Sequence, residues 1–359
     1  MPSTDILELI YFLIGGIIIS LVVNKLLLSF SQSLGIRNKN DVVIRWSNES
    51  KPSLGGISMY VAFVFSILAF AVFYSDLDLF EDGMFLGLLA AGSLAFVVGL
   101  ADDAYNTKPL LKLLGQISCG LLLVYSGSTI NLFHNVWIDS ILTVIWVITI
   151  MNSLNMLDNM DGITGTVTLF ILTVCMISYF ILKGFVIDFW IIVLVAQIGA
   201  IIGFLRYNIN PSKMFMGDAG SQFIGLFVAF YSIQGLWNTA SALEIPAWSG
   251  MLVVLTAFTP AASDTLSVVI NRLKRGQSPM VGGKDHTTHH LVYRGLNDFQ
   301  VWKVFLMISV LSSIVATAFI FAMYQDYHFV SLAGLLFFLV VFWSLYRNTL
   351  KYKEPKPKG

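Results

Sequence analysis

Long apolar segments follow one another along most of the chain, and they limit its possible folds more than any other feature. A helix needs about 20 apolar residues to cross a bilayer. Eleven segments come near this length: 6–28, 56–75, 84–101, 110–126, 138–157, 163–182, 185–205, 222–238, 248–270, 301–323 and 329–346. We therefore predict an all-α, polytopic membrane protein with about 10–11 transmembrane helices.

The charge content supports this class. Charged residues make up 12% of the chain and hydrophobic residues 57%, whereas a soluble domain has about 25% charged residues. The formal net charge is zero, so there is no bulk attraction to nucleic acid and we expect no such partner. Cys119 and Cys175 lie inside apolar segments, and we expect both to be buried, inert thiols.

Basic residues predict the orientation of the chain. If there are eleven spans, 20 of the 21 Lys and Arg residues lie on the side of the C-terminus, and only Lys183 lies opposite. Because positive charge is retained in the cytoplasm, we predict a cytoplasmic C-terminus and an outside N-terminus. We also predict one membrane domain, 1–346, followed by a basic cytoplasmic tail, 347–359, for which a solvated flank is favoured over a specific lipid site.

Polar clusters are concentrated on the predicted cytoplasmic side. Pro52–Gly56 is a predicted turn whose paired glycines fit either a ligand or close helix packing. Asp102 and Asp103 are adjacent carboxylates at the end of a span. A divalent cation would relieve their mutual repulsion, and hard oxygen ligands suit Mg²⁺.

A third cluster lies where the fifth predicted span ends. Asn152, Asn155, Asp158 and Asp161 recur at every third residue, so a helix would place them along one stripe. Burying such groups near lipid is costly unless they face a partner or a cavity. This stripe favours a functional site over a structural role.

Two further clusters follow along the chain. Phe215 precedes Asp218 in the segment 215–221; Asp218 is a candidate third carboxylate, and Phe215 either stacks on a base or anchors the loop at the interface. The last cluster contains Asp264 and Arg272, followed by three histidines: His286, His289 and His290. Zinc is disfavoured because neither Cys nor an HExxH pattern accompanies them. A phosphate-binding loop is favoured, because a basic stop-transfer loop does not account for the histidines.

Carboxylates for a divalent cation together with cations for phosphate are typical of phosphoryl transfer. On a cytoplasmic membrane face, one substrate would be a nucleotide and the other a lipid. A secondary transporter is an alternative of another class, but its ionisable groups would lie near the bilayer midplane. A lipid-binding scaffold that is not an enzyme would not need three separate carboxylate motifs.

In their order along the chain, these motifs resemble those of the polyprenyl-phosphate N-acetylhexosamine-1-phosphate transferases, glycosyltransferase family 4, between about residues 51 and 295. Asn159 departs from the pattern, since the family usually has Gly there. The histidine loop resembles the GlcNAc-1-phosphate branch more than the phospho-MurNAc-pentapeptide branch, although His290 stands where Arg is common.

The resemblance implies transfer of N-acetylhexosamine 1-phosphate, above all GlcNAc 1-phosphate, from a UDP-sugar to undecaprenyl phosphate, with release of UMP. The expected setting is the bacterial inner membrane, where such a step starts the synthesis of cell-envelope polysaccharide such as lipopolysaccharide. Phospho-MurNAc-pentapeptide transfer in peptidoglycan synthesis is the alternative. Mg²⁺ is the implied cofactor, with Mn²⁺ as a substitute, and a homodimer is compatible with the family.

The resemblance also implies roles for individual residues. Asp218, Asp158 and Asp102 would bind the metal, and Asp102 or Asp103 would accept a proton from the lipid phosphate; a covalent aspartyl intermediate is the less favoured route. Asp102, Asp103 and Asp218 are thus the expected catalytic residues, and Phe215 would stack on uracil. The expected substrate-binding residues are Lys112, Asn155, Asp158, Asp161, Phe215, Asp264, Arg272, His286, His289 and His290.

Overall fold

The computed structural model describes residues 2–33, 51–74, 79–279 and 282–354, and within these ranges the chain contains helices and no strand. The predicted all-α class is confirmed. The α-helices are α1 (Pro2–Ser33), α2 (Gly55–Phe73), α3 (Gly83–Tyr105), α4 (Pro109–Tyr125), α5 (Val136–Leu157), α6 (Ile163–Lys183), α7 (Phe189–Asn208), α8 (Gly217–Ser232), α9 (Thr239–Ala242), α10 (Ala247–Ala257), α11 (Thr259–Lys274), α12 (Thr287–Tyr293), α13 (Asp298–Tyr324) and α14 (Leu332–Lys351).

In the described residues, nine helical segments are long and apolar enough to cross a membrane, and the α10–α11 pair makes a tenth if it is one bent span. The predicted segment 110–126 corresponds to α4, which is apolar but has only 17 residues. The predicted span 248–270 is wrong as one continuous helix, because α10 and α11 meet at an angle of 82°. Pro260, at the start of α11, lacks the amide hydrogen that would continue the helix.

Side chains of the connecting segments cap the first turns of three helices. Asp82 accepts hydrogen bonds from Met84 N at 2.8 Å and Phe85 N at 3.3 Å at the start of α3. Asn135 and Asp188 cap α5 and α7 in the same way. These caps satisfy amide groups that no carbonyl of the helix can reach. They fix where the loops before these three helices end.

The first helix packs along α7 through small residues. A Cβ atom at Gly203 would lie 2.7 Å from Ile17 O, and one at Gly16 or Gly199 would lie even closer to a backbone oxygen of the opposite helix. Tyr207 Oη donates to Leu21 O at 3.2 Å. Small residues allow such close approach between helices in lipid, where packing rather than exclusion from water drives association. The contacts also show that α1 and α7 run parallel.

The glycines of the Pro52–Gly56 turn serve helix packing. A Cβ atom at Gly220 on α8 would lie 2.7 Å from Gly56 Cα. Gly55 N and Gly56 N donate to Phe215 O and Met216 O at 3.0 and 2.9 Å. The turn therefore holds the segment that leads into α8.

Helix ends meet on one face, which we call the site face. Lys112 at the start of α4 contacts Asp102 at the end of α3, and Gly162 N, before α6, donates to Asn208 Oδ1 at the end of α7. Asn271 at the end of α11 donates to Thr349 Oγ1 on α14 at 2.8 Å. In a chain that crosses the membrane eleven times, these same helix ends would all lie on one side of the membrane. The cytoplasmic position of the site face stays a prediction.

The last helix extends beyond the predicted membrane domain. Residues 347–351 continue α14, because Asn348 and Thr349 are buried against neighbouring segments. Because a helix can continue beyond the membrane, the division into a membrane domain, 1–346, and a cytoplasmic tail, 347–359, stays a prediction. Residues 355–359 lie outside the described ranges, as do residues 34–50 of the predicted connection 29–55 and residues 75–78.

Candidate active site

A cavity of about 1060 Å³ opens among the helix ends on the site face. It is lined by residues from the ends of α3, α5, α7 and α11, the starts of α4 and α8, and the histidine loop. All the predicted site residues line it except Asp264 and His290. Residues more than 100 positions apart in sequence thus share one space.

Lys112 occupies the centre of the acidic part of the cavity. Its Nζ atom lies 2.9 Å from Asp102 Oδ2 and 2.9 Å from Asp218 Oδ1. Only 15% of the lysine side chain is exposed, so these contacts are poorly screened by solvent. The pairing offsets the cost of removing three charged groups from water.

Asn155 ties the same aspartate to α8. Its Nδ2 atom donates to Asp218 and, at 2.8 Å, to Ser221 Oγ, while Lys112 donates to Asn155 Oδ1 at 3.4 Å. One turn earlier on α5, Asn152 exchanges hydrogen bonds with Gln116, which also donates to Gln222 Oε1 at 2.9 Å.

Sequence reasoning did not predict Gln222, although an amide inside an apolar segment was a usable signal. Through Gln116 and Asn152, Gln222 links α4, α5 and α8 just beneath the acidic groups. Asn152 and Asn155 of the predicted stripe thus each take part in polar contacts between helices, whereas α5 ends at Leu157, so Asp158 and Asp161 lie beyond the helix on which the stripe was predicted.

The adjacent carboxylates of α3 have different partners. Asp102 Oδ1 accepts hydrogen bonds from Thr107 N at 2.8 Å and Thr107 Oγ1 at 2.6 Å. Asp103 Oδ2 accepts one from Ala219 N at 2.9 Å, in the first turn of α8. A lysine and a helix N-terminus thus relieve the repulsion for which a divalent cation was expected.

A second polar group lies around Asp161. Its Oδ2 atom accepts hydrogen bonds from Ser212 N at 3.1 Å and Asn210 Nδ2 at 3.3 Å. Lys51 Nζ lies 3.9 Å from the same oxygen and 5.6 Å from the centroid of the Phe215 ring. Lys51 was not among the predicted site residues, and its position beside Pro52 gave no sign of these partners. Base stacking by Phe215 stays a prediction.

Asp264 is completely buried and does not line the cavity, but it contacts His286, which does. Its Oδ2 atom lies 2.8 Å from His286 Nδ1, and its Oδ1 accepts hydrogen bonds from Thr287 N at 2.8 Å and Thr287 Oγ1 at 2.6 Å. A buried carboxylate in this position favours a proton on Nδ1. Asp264 therefore orients the His286 ring, which itself lines the cavity.

Arg272 is held by Asp285 in a two-point ion pair. The Nη2–Oδ1 distance is 2.7 Å and the Nε–Oδ2 distance 3.1 Å, and Nη1 donates to Pro279 O at 2.8 Å. Arg275 contacts the same carboxylate. Burial raises the pKa of Asp285, but the two guanidinium groups outweigh it and lower that pKa to about 2. Arg272 thus fixes the loop as well as lining the cavity.

His289 and His290 are both in surroundings that disfavour the protonated, positively charged form of the ring. Burial, and then the neighbouring His286, lower the pKa of His289 to about 3. Burial also lowers the pKa of His290, against a contact of its Nδ1 with Tyr352 O that raises it. Both rings are therefore neutral near pH 7, and His290 lies outside the cavity. A direct phosphate contact by His290 is not supported by its placement.

Asn159, the departure from the family pattern, has partners of its own. Its Oδ1 atom accepts a hydrogen bond from Thr288 Oγ1 at 2.7 Å, and its Nδ2 donates to Met156 O at 2.9 Å. The side chain thus connects the segment after α5 to α12, a contact that glycine cannot make.

The donor set suits a hard cation that takes part of its coordination from a substrate. In the part of the chain that the structure describes, no group of three or more His, Cys, Asp or Glu residues is arranged to hold a metal ion. Mg²⁺ is commonly held by one or two carboxylates together with substrate phosphates. Asp218 and Asp158, both at the cavity, offer oxygen ligands of this type.

The fold and the cavity define a class: a polytopic membrane protein in which acids, amides and cations from separate helix ends face one space. The sequence model of glycosyl transferase family 4 matches residues 85–236. This stretch contains the acidic part of the cavity and excludes the histidine loop. Residues 85–236 are therefore assigned to glycosyl transferase family 4 by sequence similarity.

Curated relatives agree with this assignment. The chain is 24% identical over 274 residues to a probable undecaprenyl-phosphate N-acetylglucosaminyl 1-phosphate transferase of Bacillus subtilis, covering 74% of this chain and 72% of the relative. It is 27% identical over 270 residues to a decaprenyl-phosphate N-acetylglucosaminephosphotransferase of Mycolicibacterium smegmatis, covering 68% and 66%. An undecaprenyl-phosphate alpha-N-acetylglucosaminyl 1-phosphate transferase of Escherichia coli is 25% identical over 316 residues, with coverage of 84% and 80%.

Proposed function

We propose that this protein transfers GlcNAc 1-phosphate from UDP-GlcNAc to a polyprenyl phosphate, with undecaprenyl phosphate as the acceptor, and releases UMP. The observation that carries the proposal is the Asp102–Lys112–Asp218 arrangement at the cavity. The names of the similar proteins supply the sugar and the lipid class. The phospho-MurNAc-pentapeptide alternative has no support from the names of these relatives.

The chemistry exchanges one phosphorus–oxygen bond for another. An oxygen of the lipid phosphate attacks the β-phosphorus of the UDP-sugar, and the bond from that phosphorus to the UMP oxygen breaks. The products are a lipid pyrophosphate that carries the sugar, and UMP. Since a phosphate monoester has a second pKa of about 6, much of the acceptor has already lost the proton that Asp102 would otherwise accept.

Lys112 and its partners would provide the electrostatic part of catalysis. An ammonium group in a cavity with little solvent stabilises charge on the departing phosphate more strongly than it would in water. Asn155 and Ser221 would hold Asp218 in place while the substrate phosphates enter. Asp103, bonded to the first turn of α8, would fix the position of that helix.

We propose Mg²⁺ as the cofactor, with Mn²⁺ as a substitute, held by Asp218 and Asp158 with Asp102 nearby. Bound there, the ion would neutralise the pyrophosphate of the donor. The pair Lys51 and Asp161 lies next to Phe215, so we place the uridine in this part of the cavity. The volume of about 1060 Å³ is at the upper end of the usual range for small-molecule sites, which suits a nucleotide sugar together with a phosphate headgroup.

The remaining expectations concern location and assembly. The excess of basic residues on the site face supports a cytoplasmic site, with the N-terminus outside, in the inner membrane of a bacterium. A nucleotide sugar would reach such a site from the cytoplasm, and the lipid phosphate from the bilayer. A homodimer stays an expectation.

The test is release of UMP by the purified protein supplied with undecaprenyl phosphate, Mg²⁺ and a panel of UDP-GlcNAc, UDP-GalNAc and UDP-MurNAc-pentapeptide. We expect UDP-GlcNAc to be the best donor, with the lipid product identified by mass. Asp218→Asn should abolish release, whereas Glu81→Gln, an exposed acid remote from the cavity, should match the wild type. Full activity of Asp218→Asn would refute the site, and full activity in EDTA would refute the metal.

A further inference from the structure

A second, smaller cavity of about 440 Å³ lies between residues 21–25 of α1, the end of α7 and the loop 209–216. None of its lining residues lines the larger cavity. The lining residues are Leu21, Val22, Lys25, Arg206, Tyr207 and Lys213. Three of the six side chains are cationic, and they come from three separate segments of the chain.

Hydrogen bonds fix the walls of this cavity. Tyr207 Oη donates to Leu21 O at 3.2 Å, which fixes the end of α7 against α1. Lys213 N donates to Tyr207 O at 2.7 Å, which turns the loop back over the end of α7. The backbone therefore brings Lys213 to the cavity, so its presence there does not depend on a flexible lysine side chain.

The charges at this cavity are not balanced by the rest of the described chain. Lys25, Arg206 and Lys213 are exposed, and within the ranges that the structure covers none of them forms an ion pair with a carboxylate. The helix dipole accounts for Arg206, which lies in the last turn of α7. It does not account for Lys25 or Lys213. Three like charges around one space repel each other, and an anion between them would remove that repulsion.

The position of the cavity relative to the bilayer indicates what kind of anion it would take. Leu21 contacts Tyr207 in the last turn of α7, and Lys25 lies one helical turn further along α1. Val22 is 50% exposed and Leu26 53% exposed on the outer surface of α1. The cavity thus combines an apolar wall on α1 with cations beside the end of the apolar helix α7, where we place the lipid headgroups. Basic pockets between spanning helices bind anionic headgroups in this way.

We propose that this cavity binds the phosphate-bearing headgroup of an anionic membrane phospholipid. The phosphate lies between Lys25, Arg206 and Lys213, and the acyl chains lie against Leu21 and Val22. The proposal does not depend on the function proposed for the larger cavity, because its test measures binding without turnover.

The test is native mass spectrometry of the full-length protein in detergent, titrated with phosphatidylglycerol or with phosphatidylcholine. The wild-type protein should retain phosphatidylglycerol in preference to phosphatidylcholine. Because each cation near a lipid surface contributes about 1 kcal/mol, Lys25→Gln should weaken the Kd for phosphatidylglycerol by about fivefold, and Lys25→Gln with Lys213→Gln by about 25-fold. Lys303→Gln removes an exposed charge on the same face but outside both cavities, and should leave the Kd unchanged.

Three results would overturn the assignment. Equal retention of the two lipids would exclude recognition of a headgroup charge. Equal weakening by Lys303→Gln would show attraction to surface charge in general. Loss of phosphatidylglycerol on addition of millimolar inorganic phosphate would show that the cavity takes a free anion. Thermal unfolding of each variant is measured beside the titration, and Lys25→Gln alone, an exposed position on α1, carries the test if the double variant unfolds.

Discussion

Thr288 Oγ1 donates a hydrogen bond to Asn159 Oδ1 at 2.7 Å, so the segment after α5 is joined to the histidine-bearing helix α12. Neither residue belongs to the acidic part of the cavity. Together they set the distance between its two chemically different sides, the carboxylates and the histidines.

The first prediction concerns this bond. Asn159→Ala and Thr288→Val each remove it, so in a double-mutant cycle the second substitution should cost less stability than it does alone. We expect a coupling of about 1 kcal/mol, as for contacting residues in general. Thermal unfolding of the four proteins in one detergent measures it. Additive losses would mean that the bond contributes nothing in solution.

Lys112 should be needed as a cation at its position and not merely as a long side chain. Lys112→Met removes the charge between Asp102 and Asp218, and we expect the rate of UMP release to fall on the order of 10²-fold. Lys112→Arg should recover part of the loss. Assays at saturating UDP-GlcNAc separate turnover from binding, and a Lys112→Met enzyme with an unchanged rate would contradict this role.

Asp285 should stabilise the fold in a definite range of pH. Its pKa falls from 3.8 to about 2 on folding, so its contribution is fully present above pH 4 and disappears as the pH falls towards 2. A shift of this size corresponds to about 2 kcal/mol. Asp285→Asn should therefore lower the Tm at pH 7, and the difference from wild type should shrink between pH 4 and 3. A difference that is the same at every pH would show that the charge is not its source.

His289 should make the protein sensitive to acid over a higher range. Because its pKa falls from 6.5 to about 3 on folding, the unfolded chain binds a proton that the folded chain does not. Stability should therefore decrease by up to about 1.4 kcal/mol per pH unit as the pH falls from 6.5 towards 3. His289→Gln should remove this slope between pH 6.5 and 4.5 in thermal unfolding, even if it lowers the Tm at pH 7. Retention of the full slope would assign it to another group.

Many of the helices and the general position of the site could be predicted from the sequence, because a segment that crosses a bilayer must be long and apolar. The lengths of the apolar segments predicted the helices, and the spacing of polar residues indicated that Asn155, on α5, and Asp158, just after it, face a partner or a cavity. The bend between α10 and α11 was missed because segment hydropathy does not register the lost amide hydrogen of Pro260.

The partners of each polar group could not be predicted, because they depend on how helices pack. Asp102 and Asp103 are neighbours in sequence, yet one pairs with Lys112 and the other with the first turn of α8. Asp264 was expected to bind substrate, but it is completely buried and its carboxylate contacts His286. His290 looked like its neighbours, but it contacts Tyr352 O at the end of α14. Spacing along one helix gives the direction of a side chain and not the identity of what lies opposite.

Gly99 has a consequence for genetics. A Cβ atom there would lie 2.6 Å from Ala219 Cα, so even the smallest substitution must push away the first turn of α8, which carries Asp218. A random screen for inactive alleles should therefore recover Gly99 as readily as the acids themselves. Such alleles would look innocuous by chemical class, because Gly99→Ala changes neither charge nor polarity.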